Sequence, residues 1–251
     1  MTPPLYLVSR LPGGEFGELT GDEGRHAVTV RRTRVGECLL LGDGRGGLAE
    51  SEVTEVVGKD LLRVRVLSRR AVPPAAPPVT LAQALVKGDR GELAVELATE
   101  AGVDEIVPWR AARCVARWED GPRGDKALAR WRSTALAATK QSRRAWLPPV
   151  TPAVGTRELA SRCAEGGTLP LVLHESAGVG LADLAPELVS ATRLLLVVGP
   201  EGGIADDELE TLTGHGARPV RLGREVLRAS TAAAVALGAL GALAGRWSVP
   251  G

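Results

Sequence analysis

The chain has 251 residues, a hydrophobic share of 44%, and 31 basic against 30 acidic side chains. That length holds one large domain or two modest ones with a real core, and the composition excludes an intrinsically disordered chain. Cys38, Cys114 and Cys163 are too scattered for a disulfide framework or a zinc ribbon. Reduced thiols, no metal site and a cytoplasmic location are the expectation.

Met1-Thr2-Pro3-Pro4 lacks the basic-then-apolar pattern of a secretory signal. Further along, Glu37 to Leu41 and Leu61 to Val66 read as short strands separated by the turn formers Gly42-Asp43-Gly44 and Gly46-Gly47. Short strands at this density predict a small β barrel over residues 1–72. The segment Val72-Pro73-Pro74-Ala75-Ala76-Pro77-Pro78 cannot continue a helix or a central strand and reads as a stiff linker.

A second domain, residues 73–251, then alternates strand and helix. Val79 to Leu85 is a predicted strand, and Glu92 to Ala101 a helix stopped by Gly102. Asp104 to Val107 is a strand, Lys126 to Ser142 a long helix, and Leu169 to Leu173 and Arg193 to Val198 are buried strands. Such alternation implies an α/β domain with a mostly parallel sheet and helices on both faces. The uncharged, Ala-rich run between Arg228 and Arg246 is too short and too weakly apolar to span a bilayer, so a closely packed buried helix is expected there.

The net charge of +1 hides an uneven distribution. Residues 109–150 carry 10 basic and 3 acidic side chains, together with four of the five tryptophans: Trp109, Trp118, Trp131 and Trp146. Two readings fit this stretch. It suits a polyanion with stackable bases, or it is a solvated helix face with its tryptophans turned into the core. Composition by itself favours the second.

The chemistry concentrates late in the chain. Leu194 to Val198 is a buried strand ending in Gly199-Pro200-Glu201-Gly202-Gly203-Ile204, after which Asp206, Asp207 and Glu208 open a helix. Ligands of open α/β sheets sit beyond the carboxyl ends of strands, at turns of this kind. Neither a phosphate-binding Gly-Lys-Ser/Thr nor a dinucleotide fingerprint is present, and three acids in a first helical turn repel phosphate. A cofactor without phosphate is therefore favoured, and a purely structural turn is the alternative. A second strand-to-turn follows at Pro219-Val220-Arg221-Leu222-Gly223.

With these turns in hand, the chain resembles the ribosomal small-subunit methyltransferase E family, within the SPOUT (trefoil-knot) methyltransferases. The carrying residues are Gly199 to Gly203, Leu222-Gly223 and Val226-Leu227-Arg228. They are joined by His26, Val30 and Arg32, by Lys87, and by the segment from Glu96 to Val103. Arg113-Cys114, Gln141 to Arg144 with Pro148, and His174-Glu175 complete a match that runs in order over nearly the whole chain.

The resemblance implies a PUA-like β barrel followed by a trefoil-knotted domain that binds S-adenosylmethionine and forms a homodimer. It implies methylation at N3 of one uridine in the 16S ribosomal RNA of the small subunit. Carried over by position, the cofactor residues are Leu173, His174, Gly199, Pro200, Glu201, Gly202, Gly203, Leu222, Gly223, Val226, Leu227 and Arg228. Arg32, Arg113, Gln141 and Arg144 are the expected RNA contacts.

N3 of uridine is a poor nucleophile until its proton leaves, so the site needs a route for that proton, donors for the resulting anion, and in-line placement. Arg228 is the candidate for stabilising the uracil oxygens. Glu201 orients the loop, balances the sulfonium charge or serves as base, and the sequence leaves these three open.

Three departures from the family pattern stand out. Ser230 occupies the place of a common carboxylate, for which a helix-capping role is expected. Ala111 and Ala112 replace polar residues, and Arg143 replaces a glycine. His174 is expected to line the cofactor pocket or bond backbone, His215 to lie at a helix end, and Cys114 to pack in the core. The competing functions are a methyltransferase for another RNA and a non-catalytic ribosome-assembly factor.

Overall fold

Runs of alternating apolar residues build the first sheet of this computed structural model, which describes residues 3–119 and 121–248. Its strands are β1 (Leu5–Leu7), β2 (Phe16–Leu19), β3 (Cys38–Gly42), β4 (Gly47–Val57) and β5 (Leu61–Ala71), in the order β1-β3-β4-β5-β2. The β1–β3 pair is parallel and the other ladders are antiparallel. Register shifts at Glu50/Ser51 and Val53/Glu55 bend the long β4–β5 hairpin.

Tyr6, Leu19, Leu39, Leu41, Ala49, Val53, Leu62 and Val64, drawn from all five strands, share one core. The sheet thus curls as a small barrel does, although no ladder between described residues joins β1 to β2. The turn foreseen at Gly42-Asp43-Gly44 is present, with Asp43 Oδ1 accepting the N–H groups of Arg45 at 2.7 Å and Gly47 at 2.9 Å. Between β2 and β3, α1 (Gly21–Arg25) runs into a π-helical turn, His26–Val30.

The chain divides into two compact units. The first holds the chain up to Pro74 together with Thr139–Leu147, and the second holds Ala75–Ala138 and the chain from Pro148 onward. Residues 139–147 cover the outer face of the first sheet. There Ala145 packs with Leu5, Leu40 and Leu48, and Trp146 Nε1 donates to the Val72 carbonyl at 2.9 Å.

The second unit is built on β6 (Val79–Ala84), β7 (Glu105–Trp109), β8 (Thr168–Leu173), β9 (Arg193–Val198) and β10 (Arg218–Val220). All four ladders are parallel, in the order β10-β8-β9-β6-β7. Its helices are α2 (Arg90–Glu100), α3 (Pro122–Ser142), α4 (Thr156–Cys163), α5 (Ala185–Ser190), α6 (Asp206–Gly214) and α7 (Ala229–Leu243). The last turn of α3 belongs to the first unit.

On one face of the parallel sheet Ala82, Ala84, Val107, Trp109, Val172, Leu195 and Val197 pack against Leu159, Ala160 and Cys163 of α4 and Leu212 of α6. Alternate residues, including Val79, Leu81, Leu194 and Leu196, turn to the other face. There α7 meets β6 and β9, and α2 meets α7. Ala94 and Ala98 on α2 and Ala232, Ala233 and Ala236 on α7 are all buried, small side chains that suit a close helix pair, while Gly91 makes room for the Trp131 ring. The expected α/β layering and the buried Ala-rich helix are both observed. Among the described residues no helix is long and apolar enough to cross a membrane.

The tryptophans of the basic stretch are packing residues. Trp109 is 0% and Trp131 3% exposed, and Trp118 meets Trp131 edge to face at 4.9 Å between ring centroids. None of the four presents a bare stacking face; Arg123, Lys126 and Arg130 line the exposed side of α3 instead.

Candidate functional site

A parallel sheet delivers the carboxyl ends of its strands to one edge, and the order β10-β8-β9 puts three loops side by side there. The strand ends and loops there carry every cofactor residue expected from the sequence: Leu173-His174 at the end of β8, Gly199–Gly203 after β9, and Leu222-Gly223 with Val226–Arg228 after β10. Two of the loops are stitched by backbone bonds. His174 N–H donates to the Val220 carbonyl at 3.0 Å, Arg221 N–H to Val179 at 2.9 Å, and Leu181 N–H to Arg221 at 2.9 Å. His174 Nδ1 accepts the Ser176 N–H at 3.3 Å, a bond to the backbone of its own loop.

The glycines of Gly199–Gly203 answer to the protein itself. A side chain at position 199 would come within 2.7 Å of Ile204, and one at 202 within 3.3 Å of Arg113 Cβ. Gly203 takes φ +72°, and its N–H closes the turn onto the Pro200 carbonyl at 2.9 Å. The sequence argument, in which glycine admits a ligand, is thus only part of why glycine stands here.

Glu201 lies 3.6 Å from Arg90 at the start of α2, a half-exposed ion pair of the weak surface kind. Glu208 is different. It is 5% exposed, and its Oε1 accepts the Ala112 N–H at 2.9 Å and the Thr156 hydroxyl at 2.6 Å. Its Oε2 faces the Ala205 N–H at 3.4 Å. Sequence reasoning took Glu208 for one of three helix-opening acids, whereas only Asp206 and Asp207 are exposed. Its place three residues after the helix-capping Ala205 is the spacing of a reaching-back carboxylate, and that signal was legible. Because Ala112 contributes its backbone, the loss of polar side chains at Ala111 and Ala112 leaves this anchor intact.

Arg228 is exposed and occupies the capping position of α7, its carbonyl accepting from Thr231 and Ala232 at 2.9 Å. The capping role expected for Ser230 is therefore corrected. Ser230 is the second residue of the helix, 3% exposed, because the chain enters α7 two residues earlier than that expectation requires. Val226 is exposed, and Leu227 is half-buried.

The four expected RNA contacts fall in different places. Arg32 is exposed in the first unit at φ +55°, two residues past the end of the π-helical turn. Gln141, exposed, and Arg144, half-buried, lie in the 139–147 segment of the same unit. Arg113 belongs to the second unit and donates through Nη1 to the carbonyls of Gly202 at 3.3 Å and Ile204 at 3.4 Å.

The remaining candidates are structural. His26 packs edge-on to Tyr6 at 6.1 Å, and His215 Nδ1 contacts the Thr211 carbonyl at 2.8 Å at the end of α6. Burial pushes the Cys114 thiol up from its ordinary value, and it contacts the Trp109 carbonyl at 3.7 Å, so it packs rather than reacts. Among the described residues no group of three or more His, Cys, Asp or Glu side chains is arranged to hold a metal ion.

Family comparison sets these features in context. An RNA methyltransferase domain model matches residues 74–241, and an RNA methyltransferase PUA domain model matches residues 19–67. A ribosomal RNA small subunit methyltransferase E of Mycobacterium bovis is 55% identical over 251 residues, covering 98% of this chain and 94% of the relative. The chain belongs to the ribosomal RNA small subunit methyltransferase E family. A methyltransferase E from Bacillus subtilis is 31% identical over 230 residues, with 88% of each chain covered. The crystal structure of methyltransferase E from Neisseria gonorrhoeae bound to S-adenosyl methionine superimposes with a TM-score of 0.85 at 28% identity, covering 96% of this chain and 98% of that one.

Proposed function

We propose that this chain transfers a methyl group from S-adenosylmethionine to N3 of a uridine in the 16S ribosomal RNA of the small subunit. The observation that carries the reading is the convergence of Leu173-His174, Gly199–Gly203 and Leu222–Arg228 at one edge of three adjacent parallel strands, in a member of this family. The residues there suit an unphosphorylated cationic cofactor: Glu201, Asp206 and Asp207 are exposed carboxylates at the turn, and no phosphate-binding turn is present. When bound, S-adenosylmethionine supplies an electrophilic methyl group on a sulfonium.

The chain's own residues do the rest. Leu173, His174, Gly199, Pro200, Gly202, Gly203, Leu222, Gly223, Val226 and Leu227 form the cofactor walls, and Glu201, beside Arg90, brings a carboxylate to the sulfonium charge. Arg228 places a permanent cation at the positive end of α7. There it stabilises the negative charge that develops on the uracil oxygens as N3 passes its proton to solvent or a base and takes the methyl group from the sulfonium, which leaves as the neutral thioether.

The PUA domain and the Arg32, Gln141 and Arg144 side chains hold the RNA. The second unit is a trefoil-knotted SPOUT domain working as a homodimer in the cytoplasm, and family membership is what supports knot, dimer and compartment.

The test offers purified protein and tritiated S-adenosylmethionine three acceptors from a strain lacking the activity: intact small subunits, stripped small-subunit RNA and transfer RNA. Label is then mapped by nucleoside mass spectrometry. Label as 3-methyluridine in small-subunit RNA is expected. Label in another nucleoside or RNA discards the substrate. Cofactor binding without any label moves the chain to the assembly-factor reading.

A further inference from the structure

The turn Gly199–Ile204 is gripped from outside by a side chain of its own unit. Arg113 Nη1 bridges the carbonyls of Gly202 and Ile204 at 3.3 and 3.4 Å, and its Cβ occupies the space that a side chain at 202 would need. The C=O and N–H of a trans peptide point in opposite directions, so each of these bonds fixes a whole plane. The 202–203 peptide is held by Arg113 on one side and by the Gly203-to-Pro200 bond on the other. The 204–205 peptide lies between Arg113 and Glu208 Oε2.

The loop bearing Arg113 is itself fixed from below. Ala112 N–H donates to Glu208 Oε1 at 2.9 Å, Thr156 donates to the same oxygen at 2.6 Å, and Trp109 Nε1 donates to Thr156 Oγ1 at 3.2 Å. A carboxylate this buried is costly unless its lone pairs are satisfied, and here the first turns of α4 and α6 and the loop after β7 share it. Arg113 is exposed, and its Nη1 alone meets both carbonyls, two residues apart; the rigid guanidinium plane fixes that nitrogen where a lysine ammonium would swing on its stem.

We propose that Arg113, anchored through Ala112 by Glu208, is a positioning residue for the cofactor turn of its own chain rather than an RNA contact. The inference rests on the reading of Gly199–Gly203 as the S-adenosylmethionine turn. Without the clamp the two peptide planes are free to tilt, and the backbone groups of the turn lose their alignment toward the cofactor.

The experiment compares wild type, Arg113→Ala and Arg113→Lys. It measures S-adenosylmethionine affinity by calorimetry, small-subunit RNA affinity by fluorescence anisotropy, thermal unfolding, and amide exchange over residues 199–205 without cofactor. Arg113→Ala is expected to weaken cofactor binding about tenfold, as losing two modest hydrogen bonds would. RNA affinity and unfolding temperature stay unchanged, exchange in the turn rises, and Arg113→Lys recovers part of the loss. In turnover the effect falls on KM for the cofactor rather than on kcat.

Unchanged exchange and cofactor affinity overturn the proposal, and so does a loss confined to RNA affinity. If Arg113→Ala unfolds, the folded Arg113→Lys protein decides by the same two readouts. Failure of the wild type to bind S-adenosylmethionine sinks the cofactor reading instead. Amide exchange, which needs no cofactor, still reports whether Arg113 holds the turn.

Discussion

Arg246 donates to Asp104 Oδ2 at 2.9 Å across 142 residues of chain, with only 6% of the arginine side chain exposed. The same guanidinium donates to the Gly102 carbonyl at 2.6 Å and to the Pro77 carbonyl. Asp104 Oδ2 also accepts the Val79 N–H at 2.8 Å. The entry to β6, the turn before β7 and the residues after α7 therefore meet at one buried cation. Replacing it with Met leaves a carboxylate and two carbonyls short of donors, and a loss of about 3 kcal/mol in urea denaturation is expected. Arg246→Lys should recover less than half, because one ammonium reaches fewer acceptors. A loss under about 1 kcal/mol for Arg246→Met would mean that water substitutes for the guanidinium.

Arg143 follows the last residue of α3 at φ +57°. Its N–H donates to Lys140 at 3.3 Å, and the Arg144 N–H donates to Thr139 at 3.0 Å, the paired bonds of a Schellman ending. Glycine is the residue that such a position favours, and glycine is what the family pattern carries there. Arg143→Gly is therefore expected to raise stability by about 0.5–1 kcal/mol, despite losing the 3.0 Å bond from Arg143 Nε to the Pro3 carbonyl. Chemical denaturation measures it, with Arg143→Ala as the control that keeps the left-handed strain. Equal stability of the Gly and Ala variants would show that the strain is absent.

Burial pushes the Cys163 thiol from an ordinary 9.0 up to about 11, and its residue is 3% exposed. The native thiol stays protonated while that of the unfolded chain ionises. Its contribution is thus complete below pH 9 and is lost as the pH rises from about 9 to about 11, amounting to about 3 kcal/mol. Urea midpoints at pH 8 and pH 10.5 should fall further for wild type than for Cys163→Ala. Parallel falls would remove Cys163 as the cause.

The repeating parts of the fold were the legible ones. Leu194 to Val198 reads as a buried strand because five apolar residues fit nothing else of that length, and Gly102, at φ +97°, ends α2 where the sequence stops it. The short α4 and α5 passed unseen, since eight and six residues give too little period to register. Residues 139–147 also joined the first unit unannounced. Their attachment rests on long-range pairs such as Lys140–Glu23 at 2.6 Å and Trp146–Val72, which no local pattern encodes. At the site, motif spacing located the loops but not the direction of each side chain. Arg113, expected at RNA, is exposed and sets its Nη1 against the Gly202 carbonyl of its own chain, a contact that no motif encodes.

Ser230 gives the last test its force, because the family commonly carries a carboxylate at this position. A general base must come within hydrogen-bond reach of the proton it removes. Position 230 is the second residue of α7 and 3% exposed, behind the exposed Arg228 that caps the helix. A carboxylate there would be sheltered among the buried alanines 229, 232 and 233, favoured by the helix dipole but far from water. Ser230→Glu is accordingly expected to leave kcat within about threefold of wild type and to cost about 1–2 kcal/mol of stability. Single-turnover methyl transfer and urea denaturation read the two effects separately. A rise in the transfer rate above about tenfold, the scale of a positioned base, would reassign this position to the chemistry. Arg228 would then be a partner of that base rather than the principal group acting on the uracil ring.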